Sequence, residues 1–258
     1  MRRVKSFPKL FVVFCLCVIT LFSCNKEEDN EPTILTASGT VATTMEQFRN
    51  LLGPNNGGTA GSKPGGRREI NWDGVPDDMA SPNGYVGNFF NQNKGEQARG
   101  IEFTTPGTGL KVGADKNNPT NTPTSFGEIN ASYSRIFPPF SGERIFSPVG
   151  SNIAEATFYV PGSSTKAVVQ GFGAVYIDVD TKENQAFEFF DINGKLIGKY
   201  GTPVQNEGHV FLGIYFDKPI IHRVRITYGN AALGPDDGGS IDVSVMDDFI
   251  FGEPQPVK

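Results

Sequence analysis

Residues 241–253 read IDVSVMDDFIFGE. Taken at period two, they put Ile241, Val243, Val245, Asp247, Phe249 and Phe251 on one face. Such alternation marks a β-strand with one side in a core. The odd face carries a carboxylate among five apolar residues. A buried charge without a partner is costly, so Asp247 requires a cation, hydrogen-bond donors or a β-bulge that turns it away.

Working outward, the preceding segments alternate in the same way. Val210–Phe216 sets Val210, Leu212, Ile214 and Phe216 on one face, and Ile221–Tyr228 sets Val224 and Ile226 against Arg223, Arg225 and Thr227. In Ala167–Val179, Val175, Ile177 and Val179 face one way. Ala186–Ile192 and Lys195–Tyr200 flank Asn193-Gly194, a strong hairpin signal. Glu155–Val160, Gly100–Phe103, Asn88–Asn91 and Arg67–Trp72 read as further short strands. Ser134–Phe146 keeps its apolar residues despite two prolines, which suits a sheet edge or a packed loop. Thr104–Thr124 reads as a long loop. Only Thr44–Leu52 reads as a helix. Thr44 and Gln47 have capping-box spacing, Phe48, Leu51 and Leu52 form a stripe, and Gly53 ends it. The run Gly53–Gly66 reads as a flexible connection.

These strands, with no βαβ alternation, predict an all-β fold: a two-sheet antiparallel, jelly-roll-like sandwich with one short N-terminal helix. The composition agrees. In 258 residues there are 31 glycines, 18 prolines and 21 phenylalanines, which suits short strands, tight turns and an aromatic core.

The net charge is -5, and Arg2, Arg3, Lys5 and Lys9 lie within the first 23 residues, where there is no acid. The rest is therefore more acidic still, which argues against a nucleic-acid partner. The basic start precedes the apolar run Leu10–Phe22, too short to span a bilayer but suited to a secretory signal. Leu21-Phe22-Ser23-Cys24 resembles the bacterial lipobox, which implies cleavage before Cys24 and lipid attachment to it. Cys15, Cys17 and Cys24 are the whole cysteine supply, so the folded part has no disulfide. The acidic run 25–31 resembles the signal that sends Bacteroidota-type lipoproteins to the outer face of the outer membrane. The expected organisation is a signal peptide over 1–23, lipidated Cys24 with an acidic tether over 24–43, and one sandwich domain with its helix over 44–258. The membrane partner is reached through the lipid.

The blocks GRREINWDGVPDD (Gly66–Asp78), FFDINGKLIG (Phe189–Gly198), RVRITYGNAALGPDD (Arg223–Asp237) and VMDDFIFGEP (Val245–Pro254) resemble signature blocks of a family of secreted bacterial β-sandwich proteins. The resemblance implies location and fold. It brings no catalytic residues with it.

The residues themselves offer little nucleophilic chemistry. His209 and His222 are the only histidines and form no metal-binding spacing; there is no Gly-x-Ser-x-Gly elbow and no phosphate-binding loop. Carboxylates are abundant, and calcium takes six to eight oxygens gathered from separate loops. The expected ligands are Asp247 and Asp248, Asp73 beside Asp77 and Asp78, and Asp178 with Asp180. Pairing of the first and last strands would bring Asp73 near Asp247. Asp178-Val179-Asp180 followed by Glu183 has loop-like spacing but lacks the glycine and terminal glutamate of an EF-hand. The alternative for Asp247 is an ion pair with Arg67, Arg68 or Arg225, or backbone donors. Together these features predict a surface-anchored module for glycan binding or adhesion, stabilised by calcium, with Trp72 and Tyr85 stacking on sugars. Two other classes stay open: a polysaccharide hydrolase using paired carboxylates, and a structural envelope protein without a small ligand.

Overall fold

In the computed structural model, which describes residues 31–182 and 184–257, the alternating segments form strands. In chain order come β1 (Thr33–Ser38), α1 (Ala42–Leu52), β2 (Arg67–Ile70), β3 (Ile101–Thr104), β4 (Gly109–Val112), α2 (Tyr133–Ile136), β5 (Phe146–Val149) and β6 (Ile153–Phe158). Then follow β7 (Ala167–Val168), β8 (Gly171–Val179), β9 (Ala186–Phe190), β10 (Leu196–Gly201), β11 (Gln205–Tyr215), β12 (Arg223–Thr227), β13 (Val245–Gly252) and β14 (Gln255–Pro256). Cys24, the signal segment and Glu183 lie outside the described residues.

One sheet runs β1-β11-β8-β13-β5-β4, with β2 also on β13; the second runs β10-β9-β12-β6-β3; β14 and β7 form a small ribbon. All these pairings are antiparallel. The two larger sheets enclose an apolar core that includes Phe172, Tyr176, Phe187, Val224, Phe249 and Phe251, so the chain is an all-β sandwich. The first and last parts of the body do pair, Ile70 opposite Phe249 and Arg67 opposite Gly252.

The face of the larger sheet turned away from that core is covered too. There α1 packs Met45, Phe48 and Leu52 against Val175, Phe211 and Ile250. The helix thus lies across the face of a sheet. A methyl group at Gly213 would sit 2.9 Å from the Phe48 ring, so the missing side chain makes room for the helix. Val41 caps α1 with no side-chain hydrogen bond, so the Thr44–Gln47 box is not used, and Leu51 is exposed. A second apolar layer joins Phe126, Tyr133 and Phe137 to Ile177 and Val245. Covered on both faces, β8 is buried along its whole length.

Several expectations change. The tether read over 24–43 is shorter, because residues 33–38 form the edge strand β1 and Val41 is buried. Asn88–Asn91 holds a 3-10 turn at Phe89–Asn91 instead of a strand, and β4 lies inside the loop read over 104–124. Ser134–Phe146 begins within α2 and enters β5 only at Phe146. The Asn193-Gly194 hairpin joins β9 to β10, but through residues 191–195, with the Asp191 carboxylate accepting the amides of Asn193 and Lys195. Asp191 makes the local turn that a two-residue reading overlooks.

The glycine-rich run 53–66 is held from within. Arg68 is fully buried and donates to both oxygens of Glu253 at 2.7 Å. Its remaining hydrogens go to the carbonyls of Gly57, Thr59, Gly61 and Ala98. Glu253 in turn accepts from the Lys63 amide and from Asn56. A run with no large apolar side chain to bury is ordered by giving its carbonyls to one guanidinium.

Candidate metal centre

The odd-numbered face of Val245–Gly252 is not continuous. Val245 packs on the outer layer, Phe249 and Phe251 in the central core, and Ile250 under α1. The switch occurs at a bulge, where the register on β8 jumps between Asp247 and Phe249 and Asp248 takes a φ of 38°. Asp247 lies opposite Val175 and is fully buried. One oxygen accepts the amides of Phe140 (2.8 Å) and Ser141 (3.0 Å), the other the amide of Asp248 (2.8 Å). Donors and a bulge are therefore the answer to the buried charge. The arginines go elsewhere: Arg67 to Glu69, Arg68 to Glu253, Arg225 to Glu155.

The same loop takes up the neighbouring acids. Ser141 donates its hydroxyl to Asp248, and Arg49 of α1 stands 3.8 Å from the other Asp248 oxygen. Asp73 accepts the amides of Glu143 and Arg144. Gly142, at φ 57°, is required, because a methyl group there would lie 1.9 Å from the Asp73 carboxylate. Asp73, Asp247 and Asp248 thus pin the 138–144 loop through the amide and hydroxyl donors they accept. Among the described residues they are not the acids that converge closely enough to share an ion.

Burial, then the nearby Asp248 charge, push Asp247 up to about 8, against the pull of its three amide donors. The ordinary value is about 3.9. Between those limits the folded chain holds a proton that the unfolded chain has released, so this contribution is complete below about pH 4 and is lost as pH rises through 8. Asp247→Asn is therefore expected to be less stable overall, yet to lose less of its melting temperature between pH 5 and pH 8 in EDTA. Parallel pH slopes for the two proteins would rule out Asp247 as their source.

A second acidic group does converge. Among the described residues, Asp178, Asp180 and Asp237 bring carboxylate oxygens within 4.8 Å of one another. Asp178 sits at another bulge. It has a φ of 66°, and the β11–β8 register shifts between Gln205 and His209 around Glu207 at φ 47°. Its Oδ1 accepts the Glu207 amide at 2.7 Å. Its Oδ2 is buried and accepts from nothing among the described residues. Asp180 accepts from the Asn206 side chain at 2.7 Å, and Asp237 from the Val243 amide at 2.7 Å. Buried Asp242 ties the two approaching segments together, accepting from Thr181 on one oxygen and from Gln185 on the other.

Burial first, then Asp237 and Asp180, push Asp178 up to about 8. Asp237 is raised as well, by burial and by the charges of Asp180 and Asp242. Three acids held together in this way suit a hard cation that would replace the missing donor. Each histidine holds a backbone carbonyl, His209 that of Pro138 and His222 that of Ala167. Of the expected ligands, Asp178 and Asp180 are here. Asp237 was missed, because its sixty-residue distance hides it and only the acidic turn Gly234-Pro235-Asp236-Asp237 marks it in the sequence.

Trp72 and Tyr85 are core residues, not a sugar platform. Trp72 has no exposed surface, stacks on Phe146 with centroids 4.2 Å apart and meets Tyr85 edge-on at 5.7 Å. A cleft of about 420 Å³ opens instead on the outer side of the smaller sheet, lined by Thr104, Thr105, Pro106, Ile153, Glu155 and Arg225. There Glu155 accepts from both Arg223 and Arg225, and the Arg223 guanidinium lies 3.9 Å above the Phe190 ring.

Fold and site thus define an all-β sandwich with a partly buried acidic triad that could hold a metal ion. No family model matches the chain, and no curated protein does. Among solved structures, the enzymatically active domain of tailspike protein 4 from bacteriophage CBA120 is similar over 70% of this chain and 22% of that chain. The identity is 14% and the TM-score 0.26, too slight a likeness to assign fold or activity.

Proposed function

We propose that this chain is a lipid-anchored module of the outer cell surface that binds glycans or serves adhesion, with calcium stabilising its loops. The observation that carries the binding part is the polar cleft on the smaller sheet. Glu155 and Arg225 there present charged hydrogen-bonding groups on rigid strands beside an arginine stacked on Phe190. The lipobox at Leu21–Cys24 and the acidic run after it support the address. The first strand begins at Thr33, so at most about 3.6 Å per residue of chain would separate the sandwich from a lipid on Cys24.

Two measurements test this. The body from residue 31 onward is expected to bind saturably on a glycan array in calcium, with Arg225→Ala weakening binding at least tenfold. Cys24→Ser is expected to move the full chain out of the outer-membrane fraction, and an unchanged distribution would remove the anchor. The structural envelope reading draws support from the burial of Trp72 and Tyr85, which takes away the aromatic platform. Silence across a broad glycan panel would select it.

A further inference from the structure

We propose that Asp178, Asp180 and Asp237 form one calcium site that fastens the loop leading into β13 to the end of β8. This rests on the calcium part of the reading above and is independent of the glycan part.

The ligands come from two segments far apart in the chain. Asp178 lies one residue before the end of β8 and Asp180 directly after it, while Asp237 directly precedes the turn closed by the reciprocal amide bonds of Gly238 and Ile241. Acidic residues often gather without an ion, but Asp178 adds a separate signal. It is 1% exposed, and its Oδ2 has no donor among the described residues although its carboxylate is turned toward two others. A buried acceptor with no partner is rare in a folded protein, and one surrounded by like charge is rarer. A cation removes both difficulties at once.

The donor set chooses the ion. All three ligands are carboxylates, which favour hard cations over zinc or copper. Calcium lies 2.3–2.6 Å from each oxygen, so ligands on opposite sides of it stand up to about 5 Å apart. Oxygens within 4.8 Å of one another fit that span. Asp180 and Asp237 are half-buried, leaving room for waters to complete the six to eight positions calcium takes. The Asp242 bonds to Thr181 and Gln185 hold the two segments in place before any ion arrives. Such preorganisation lowers the ordering cost of binding.

The test uses calorimetry and thermal melts of the chain after EDTA treatment, titrated with calcium chloride or magnesium chloride. Wild type is expected to take up one equivalent of calcium, with a melting temperature that climbs with the logarithm of free calcium. Asp237→Asn and Asp180→Asn are expected to bind at least tenfold more weakly. Asp178→Asn is expected to melt at or above wild type in EDTA, because an amide able to donate to the neighbouring carboxylates replaces an acid crowded by them, yet to give no calcium response. A purely structural aspartate would lose stability in both conditions. Asp73→Asn serves as control and keeps the wild-type calcium shift. The proposal is overturned by absence of heat and shift in wild type, by an undiminished response in Asp237→Asn, or by magnesium acting as well as calcium. Loss of glycan binding with the calcium response intact would sink the glycan reading alone.

Discussion

Arg68→Ala is expected to destabilise the folded chain by about 3–5 kcal/mol, the cost of breaking a buried ion pair by removing one partner. The guanidinium is fully buried, and its loss leaves Glu253 buried with only the Lys63 amide and Asn56 for company. It also releases the Ala98 carbonyl and those of Gly57, Thr59 and Gly61 in a run that has no large apolar side chain to hold it. Two observables should move together. The urea midpoint falls, and the 53–66 segment becomes the first site of limited proteolysis under native conditions. Arg68→Lys should recover little, since an ammonium cannot meet both Glu253 oxygens and four carbonyls from one plane. A loss below 1 kcal/mol would show that the run is held by something other than Arg68.

Trp72→Ala is expected to cost about 3–5 kcal/mol, the range for emptying a large aromatic site in a core. The indole is stacked on Phe146 and is met by Phe249 at 5.1 Å, Phe103 at 5.4 Å and Phe90 at 5.8 Å. These rings come from β5, β13, β3 and a 3-10 turn, so collapse around the gap would require several elements to shift. Trp72→Phe keeps part of the stack and should lose clearly less. The measurement is chemical denaturation followed by circular dichroism, because the chain has one tryptophan and the variant has none. A near-neutral Trp72→Ala would mean that the indole is not packed as described, and would reopen it as a surface platform.

Both sites show how far local pattern reaches. β6 and β12 were readable because inward and outward residues alternate against a single core, as in β12 with Val224 and Ile226 inward and Arg223 and Arg225 outward. The pattern misled wherever a strand is covered on both faces. In β8 and β13 every residue is buried, so alternation no longer tells which face is which, and the bulges at Asp178 and Asp248 reverse it midway. Val175, Ile177 and Val179 were read as one face, yet they enter three different clusters.

The buried aspartate was visible in the sequence as a problem; its solution was not. Period and composition by themselves determined that the chain is an all-β sandwich, that β13 is central to it, and that Asp247 must have donors, a cation or a bulge. They determined this because alternation and burial cost are local properties of a strand. Which donors, and which acids meet, was decided only by tertiary structure. The amides of Phe140 and Ser141 reach Asp247 from more than a hundred residues away, and Asp237 meets Asp178 with four strands of chain between them. Contacts of that kind depend on chain crossings and bulge positions, which no single segment encodes.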